Sequence, residues 1–275
     1  MKLAVQEQWL PGISMEEKWQ QAVAWGFDAI ELRGAGCHAL RDRLPALLEA
    51  KEHGVVMSTV CVEMDHFIGD FDDRRRADAV ANMATQLEVI GELGGRGAMT
   101  PASWGMFSLR LPPLWPPPRS PEDDRAVLVE ALTTLGEVAA RSGVFILLEP
   151  LNRYEDHMVN TLETAAELVA ATGLASVRVA ADTYHMNIEE ADPLGALRTH
   201  AARLGHVQLS DSNRLEPGAG HLDWPALLRC LQEIGYDGSL AFESRLSGNA
   251  AEVLPRATAM LRAAGRADHS GERPR

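Results

Sequence analysis

The chain has 275 residues, with 26 Lys and Arg against 39 Asp and Glu, for a formal net charge of -13. That length holds two average domains or one large one, and an apolar content of 46% is enough to fill a large core. The acidic balance counts against a nucleic-acid backbone or an anionic membrane as partner. No apolar run nears the roughly 20 residues that span a bilayer. The opening Met1-Lys2-Leu3-Ala4-Val5-Gln6-Glu7 meets a carboxylate too early for a secretory leader. Cys37, Cys61 and Cys230 are odd in number and widely spaced, which suits neither a disulfide framework nor a zinc finger. A cytoplasmic protein with buried structural thiols is expected.

In chain order, a repeating grammar appears. Leu3 to Gln6 reads as a first strand. Ser14-Met-Glu-Glu17 opens a helix as a Ser-x-x-acid entry. The helix closes at Trp25-Gly26, and Asp28 to Arg33 follows as a strand. His53-Gly54 precedes Val55 to Val62, and Leu93-Gly94 precedes Gly97 to Thr100. Ser142-Gly143 precedes Val144 to Leu148, and Thr172-Gly173 precedes Val177 to Asp182. Leu204 to Leu209 is a seventh strand, and Ile234-Gly235 precedes an eighth, Ser239 to Glu243. Glycine just past a helix end takes the left-handed conformation that a Cβ disfavours. Ser120-Pro-Glu-Asp123 and Asp223 before Trp224-Pro225 mark two further helix starts.

Eight alternating β/α units with no change of composition predict a closed (β/α)8 barrel, a TIM barrel, as a single domain over residues 1–265. The polar tail, 266–275, is expected to be disordered. An open doubly wound sheet would usually carry a Gly-rich phosphate loop after its first strand. Gln6-Glu-Gln-Trp-Leu-Pro-Gly12 is not one, and there is no Walker motif. The segment Pro101 to Pro121 carries seven prolines together with Trp104 and Trp115. It follows the fourth strand, so it reads as a lid or wall at the C-terminal mouth of the barrel, although a plain surface loop has the same composition.

Catalysis in such barrels sits at the C-terminal ends of the strands. The fifth strand is an unbroken apolar run between Gly143 and Pro150, buried on both faces, and it ends on Glu149. The sixth ends on Asp182, the seventh contains His206 and Gln208, and the eighth ends on Glu243. Each has a bland explanation. Glu149 could reach solvent or pair with Arg153, Asp182 could cap the next turn, and Gln208 could be a satisfied interior amide. His206 reads as a structural or supporting histidine, and His185 could face solvent. Four such residues at matching strand ends are harder to dismiss. Side-chain alternation lets Glu149, Asp182, Gln208 and Glu243 converge on one point. Three carboxylates there would repel one another unless a cation joined them, and an all-oxygen donor set suits Mg²⁺ or Mn²⁺.

With these residues in view, the sequence resembles a known family. Glu149-Pro-Leu-Asn-Arg-Tyr-Glu155, Asp182-Thr-Tyr-His-Met-Asn-Ile188, Gly205-His-Val-Gln-Leu-Ser-Asp-Ser-Asn-Arg214 with Pro217-Gly-Ala-Gly220, and Phe242-Glu243-Ser244 look like the xylose isomerase-like sugar isomerases and epimerases. The nearest branches are D-tagatose/D-psicose 3-epimerase-like and hydroxypyruvate isomerase-like. The motifs cover Glu149 to Ser244; the first half matches as barrel periodicity. The resemblance implies that Glu149 and Glu243 are both metal ligands and the acid/base pair, with Asp182 a third ligand. It places His185, Arg214 and Glu155 at the substrate's carbonyl and hydroxyl end. Gln208 departs from the ketose 3-epimerases, which usually have His there, and looks more like the hydroxypyruvate isomerase branch. It keeps a neutral ligand but offers an amide oxygen.

The expected activity is isomerisation or epimerisation of a small sugar or hydroxy-oxo acid. It would depend on one Mn²⁺ or Mg²⁺ and proceed by proton transfer through an enediolate between the two glutamates. Alternatives on the same barrel are an endonuclease IV-like nuclease, which needs a richer His/Asp/Glu cluster and a basic face, and a polyol dehydratase. A binding module without catalysis would not need both glutamates. The expected partner is a small-molecule substrate, with no nucleic acid and no membrane, and the sequence is compatible with a homo-oligomer.

Overall fold

The computed structural model describes residues 1–35, 39–107 and 116–266. Cys37, Trp115, the middle of the Pro-rich segment and the tail from 267 onward lie outside the described residues. The strands β1 (Lys2–Gln6), β2 (Ala29–Ala35), β3 (Met57–Glu63), β4 (Gly97–Pro101), β5 (Phe145–Glu149), β6 (Val177–Asp182), β7 (Leu204–Leu209) and β8 (Ser239–Phe242) close in sequence order, β8 pairing with β1, all parallel. This is the predicted (β/α)8 barrel. The connecting helices are α1 (Met15–Ala24), α2 (Ala39–Asp42), α3 (Leu44–Glu52), α4 (Asp73–Leu93), α5 (Pro121–Ser142), α6 (Leu162–Thr172), α7 (Thr183–Glu189), α8 (Pro193–His200), α9 (Trp224–Glu233) and α10 (Ala250–Ala264). Among the described residues, no helix is long and apolar enough to cross a membrane.

The helix ends follow from local chemistry. Ser14 and Glu17 form a complete capping box on α1, Ser120 accepts from Asp123 N on α5, and Asp223 accepts from Ala226 N on α9. Gly94, Gly143 and Gly173 terminate α4, α5 and α6 in the left-handed conformation.

The core has two compartments. One lies between the sheet and the helices and holds most of the buried Leu, Ile and Val. The other is the lumen, where the opposite strand faces meet. Mostly small residues pack there, Ala4, Ala29 and Ala241 in one cluster and Cys61 and Ala180 with the larger Met99 and Leu147 in another. By the two-residue alternation of strands, Glu31 shares its face with Ala29, Glu149 with Leu147, Asp182 with Ala180, and Glu243 with Ala241. The packing parity therefore points several polar side chains inward above the small ones.

Candidate active site

The inward polar residues form two groups. The first is centred on Glu31, which is fully buried on β2. Its Oε1 accepts from Gln6 Nε2 (3.2 Å) and Gln208 Nε2 (2.9 Å). Its Oε2 accepts from Thr59 Oγ1 (2.7 Å) and His206 Nε2 (2.8 Å). Burial pushes this carboxyl up, but His206, Gln208 and Thr59 together hold it below its usual range.

The second group comprises Glu149, Asp182, Glu243, His185 and Arg214. One oxygen of Glu149, one of Asp182 and a ring nitrogen of His185 all lie within 4.8 Å of one another, and the three residues are buried. Arg214 donates through Nη1 to Asp182 Oδ2 (2.7 Å) and through Nη2 to Glu243 Oε2 (3.1 Å). Cys61 Sγ lies 3.5 Å from Glu243 Oε1. Burial and the neighbouring carboxylates of Glu243 and Asp182 push Glu149 well above its usual range. Burial also raises Glu243, against the opposing pull of Arg214. Among the described residues, Glu149 Oε1 and Gln208 Oε1 are buried without a hydrogen-bond partner.

His185 sits on α7 directly after β6. Asp182 caps that helix, its Oδ1 accepting from Tyr184 N (2.7 Å) and His185 N (3.2 Å). The Asn152 backbone N–H donates to His185 Nδ1 (3.0 Å), so in the neutral ring the proton is on Nε2. That Nε2 faces Glu149 Oε1 at 3.8 Å. Burial and Arg214 lower the imidazole to about 4, which keeps it neutral near pH 7. A protonated Nε2 is a hydrogen-bond donor and not a metal ligand.

Arg214 lies in the loop after β7 with φ of 62°, a left-handed backbone conformation unusual for a side chain of its size. Buried Asp211 holds the loop in that shape. It accepts from Ser212 N, Leu222 N, Gly218 N and Trp224 Nε1 at 2.8–3.1 Å. A Cβ on Gly220 would come within 2.2 Å of Asp211 Oδ1.

A cavity of about 430 Å³ opens above this group. Its lining includes Glu149, His185, Arg214 and Glu243, together with Arg33, Cys61, Val62 and Phe67. Trp104 stands at its rim, 57% exposed, and donates through Nε1 to Glu155 Oε2 (3.0 Å). Asn152 Nδ2 binds the other oxygen, Glu155 Oε1 (2.9 Å). The Pro-rich segment is thus tied to the β5–α6 loop at its start. At its end, Arg119 donates to the carbonyls of Gly69 (2.7 Å) and Asp70 (3.2 Å).

The structure decides between the alternative readings of these residues. Glu149 neither reaches solvent nor pairs with Arg153, whose guanidinium is taken by Glu189 (2.8 Å). His185 is 2% exposed and does not face solvent. Asp182 both caps α7 and faces the site. Gln208 stands beside Asp182 in the β6–β7 register, with its NH₂ committed to Glu31 and its oxygen free. Cys61 lines the cavity, whereas Cys230 is buried against α8, near Leu194 O. Glu31, Thr59, Gln6 and Asp211 were not singled out from sequence. A charge inside the otherwise apolar Ala29-Ile-Glu-Leu32 was the available signal for Glu31.

A family model described as xylose isomerase-like TIM barrel matches residues 19–264. The chain is 39% identical over 246 residues to 3-dehydro-D-guloside 4-epimerase of Escherichia coli K12, covering 90% of this chain and 93% of that protein. It is 33% identical over 242 residues to D-psicose 3-epimerase of Enterocloster bolteae, covering 80% and 73%. The crystal structure of 3-keto-D-glucoside 4-epimerase from E. coli, in apo form, matches with a TM-score of 0.89 at 38% identity, over 96% of this chain and 99% of that one. The chain belongs to the xylose isomerase-like TIM-barrel family. Its homologues are ketose 3-epimerases and related sugar epimerases, and it is an enzyme of the sugar isomerase and epimerase type. The nuclease alternative is not favoured. Among the described residues, one group of three His, Cys, Asp or Glu side chains is close enough to share an ion, Glu149, Asp182 and His185, and its histidine is the donor described above; several metals would need more ligands.

Proposed function

We propose that this chain is a divalent-metal-dependent epimerase of a keto sugar, with Glu149 and Glu243 as the acid/base pair. Glu149, Asp182, Gln208 and Glu243 would hold one Mn²⁺ or Mg²⁺. The observation that carries this reading is the buried Glu149, raised by its acidic neighbours, with Oε1 unpartnered and Gln208 Oε1 likewise. Two orphaned buried oxygens among three carboxylates are costly in a bare protein and suit a hard cation. A bound ion would supply Lewis-acid stabilisation of negative charge on the substrate's carbonyl oxygen.

The chain's own residues do the rest. β5 and β8 lie three strands apart around the ring, so Glu149 and Glu243 approach a substrate from different sides. One removes the proton from the carbon beside the carbonyl, leaving an enediolate. The other returns a proton to the opposite face of that carbon, which inverts it. His185 Nε2–H and Arg214 donate to substrate oxygens and fix the orientation. Glu155 accepts from a hydroxyl. The Pro-rich segment, anchored through Trp104 and Arg119, serves as the lid that limits water.

The relatives support the class of reaction. A 3-dehydro-guloside 4-epimerase and a psicose 3-epimerase both invert a carbon adjacent to a ketone. Of the two, the longer and more identical match is to the enzyme of a 3-keto glycoside, so such glycosides are the first substrates to test. The experiment is solvent deuterium incorporation into 3-keto glycosides and free ketoses, with and without Mn²⁺, on chelator-treated protein. Exchange at the carbon next to the carbonyl, only with metal, is expected. Absence of exchange in every keto sugar and in hydroxypyruvate would overturn the assignment.

A further inference from the structure

Glu31 is conspicuous because it is a fully buried charge that no step above uses. Its four hydrogen bonds come from three other strands: Gln6 on β1, Thr59 on β3, and His206 and Gln208 on β7, all converging on Glu31 of β2. A carboxylate with two oxygens and two donors on each is saturated. It has no lone pair to offer a substrate or an ion, so its influence must pass through its partners.

One partner matters more than the others. A primary amide is nearly symmetric in shape, and nothing about Gln208 itself decides which of its two ends faces the carboxylate group above it. Left to those acids, Gln208 would present NH₂ to them, since Glu149, Asp182 and Glu243 are all acceptors. That end cannot bind a cation. With Nε2 held 2.9 Å from Glu31 Oε1, the reverse orientation would set an amide oxygen against a buried carboxylate oxygen at the same distance. Glu31 therefore turns the amide oxygen away from itself, on a residue that pairs in register with Asp182, and that oxygen is the one left without a partner.

We propose that Glu31 is the positioning residue that makes Gln208 a metal ligand, by binding its NH₂ and so presenting Oε1 to the carboxylate cluster. This rests on the metal-site reading above. Groups that orient a ligand in this way typically account for about 10–100-fold in metal affinity.

The test is Mn²⁺ binding to chelator-stripped protein by isothermal titration calorimetry, with circular dichroism to check the fold. Glu31→Gln is expected to weaken binding about 10–100-fold. Gln208→Met, which keeps the shape and removes both amide ends, is expected to weaken it at least as much. The double variant should bind no more weakly than Gln208→Met alone, because Glu31 acts only through Gln208. Additive losses would mean that Glu31 acts by some other route and would overturn the proposal. So would unchanged Mn²⁺ affinity in Glu31→Gln beside a loss in Gln208→Met, an outcome that leaves the metal site standing. Unchanged affinity in Gln208→Met would remove that residue from the metal site and the proposal with it. Should Glu31→Gln not fold, Glu31→Asp withdraws the carboxylate from Gln208 by one methylene and is read by the same criteria.

Discussion

Glu31 and Glu149 stand in the same barrel lumen, both buried, yet their surroundings treat them in opposite ways. Glu31 has four donors and is held below its usual range; Glu149 has two acidic neighbours, a free oxygen, and is pushed well above it. A protein that needed only to fold could have satisfied Glu149 as it satisfied Glu31. Arg214, whose charge favours the ionised Glu149, instead divides its hydrogen bonds between Asp182 and Glu243. The contrast sets a carboxylate that is fully satisfied within the protein beside one that its surroundings leave unsatisfied.

The largest effect should come from exchanging charge for amide at the upper group. Glu149→Gln and Glu243→Gln should each lower turnover by at least about 10²–10⁴-fold, the range that loss of a general acid or base produces. In metal-stripped protein, Glu149→Gln should at the same time raise the melting temperature. Removing about 1 kcal/mol of repulsion is read as roughly 2–4 °C in a chain of this size. The same change at Glu31 should lower it. If both glutamines shift the melting temperature in the same direction, the contrast between the two sites is wrong.

Metal removal comes next. Chelation should abolish turnover, and Mn²⁺ or Mg²⁺ should restore it. Adding the ion at about 100 times its Kd should stabilise the protein by about 2.7 kcal/mol, seen in a thermal melt. A melting temperature indifferent to Mn²⁺ would leave Glu149 without the partner its environment implies.

How much of this could be read from the sequence differs between the two groups for a physical reason. Glu149, Asp182, Gln208 and Glu243 each end or nearly end a strand, and strand ends are visible as apolar runs closed by Gly, Pro or a charge. The approach of Glu149, Asp182 and Glu243 to one another then follows from the barrel and from side-chain parity, with Gln208 beside Asp182 in register. Glu31 lies inside its strand, and its partners Gln6, Thr59, His206 and Gln208 are separated from it by 25 to 177 residues. No local pattern announces such a set, because it exists only once four strands have closed into one lumen. His185 was readable as a site residue but not as a donor, since its tautomer is decided by the backbone N–H of Asn152. The pose of Arg214 likewise depends on Asp211 and a loop of irregular backbone.

That loop offers a mid-sized test. Asp211→Asn replaces an acceptor of four hydrogen bonds with a group that is half donor, and should cost about 1.5–3 kcal/mol, the worth of a hydrogen bond to a charged group. Burial pushes Asp211 up, but Trp224 and the backbone N–H groups bring it below its usual value. Because the folded form binds its proton less readily than the unfolded chain, the contribution is complete above about pH 4 and is lost as pH falls through the folded value. The stability gap between Asp211→Asn and the parent should therefore be wide at pH 7 and shrink toward pH 3 in denaturant titrations. Turnover should fall as well, through a misplaced Arg214. A gap independent of pH would mean that the carboxylate charge is not what holds the loop.

The smallest expected effect lies at the rim, where a polar contact is exposed and not buried. Trp104→Phe keeps an aromatic wall and removes only the 3.0 Å bond from Nε1 to Glu155 Oε2. A hydrogen bond to a carboxylate at a site that is 57% exposed competes with water, so its loss should be worth no more than about 1 kcal/mol. Glu155 retains Asn152 on its other oxygen and stays in place. The expected result is a KM raised by no more than about fivefold with kcat nearly unchanged, because binding at the rim contributes equally to ground and transition states. A fall in kcat with KM unchanged would place the segment's contact with Glu155 in the chemical step, and the division between a reactive floor and a passive rim would have to be redrawn.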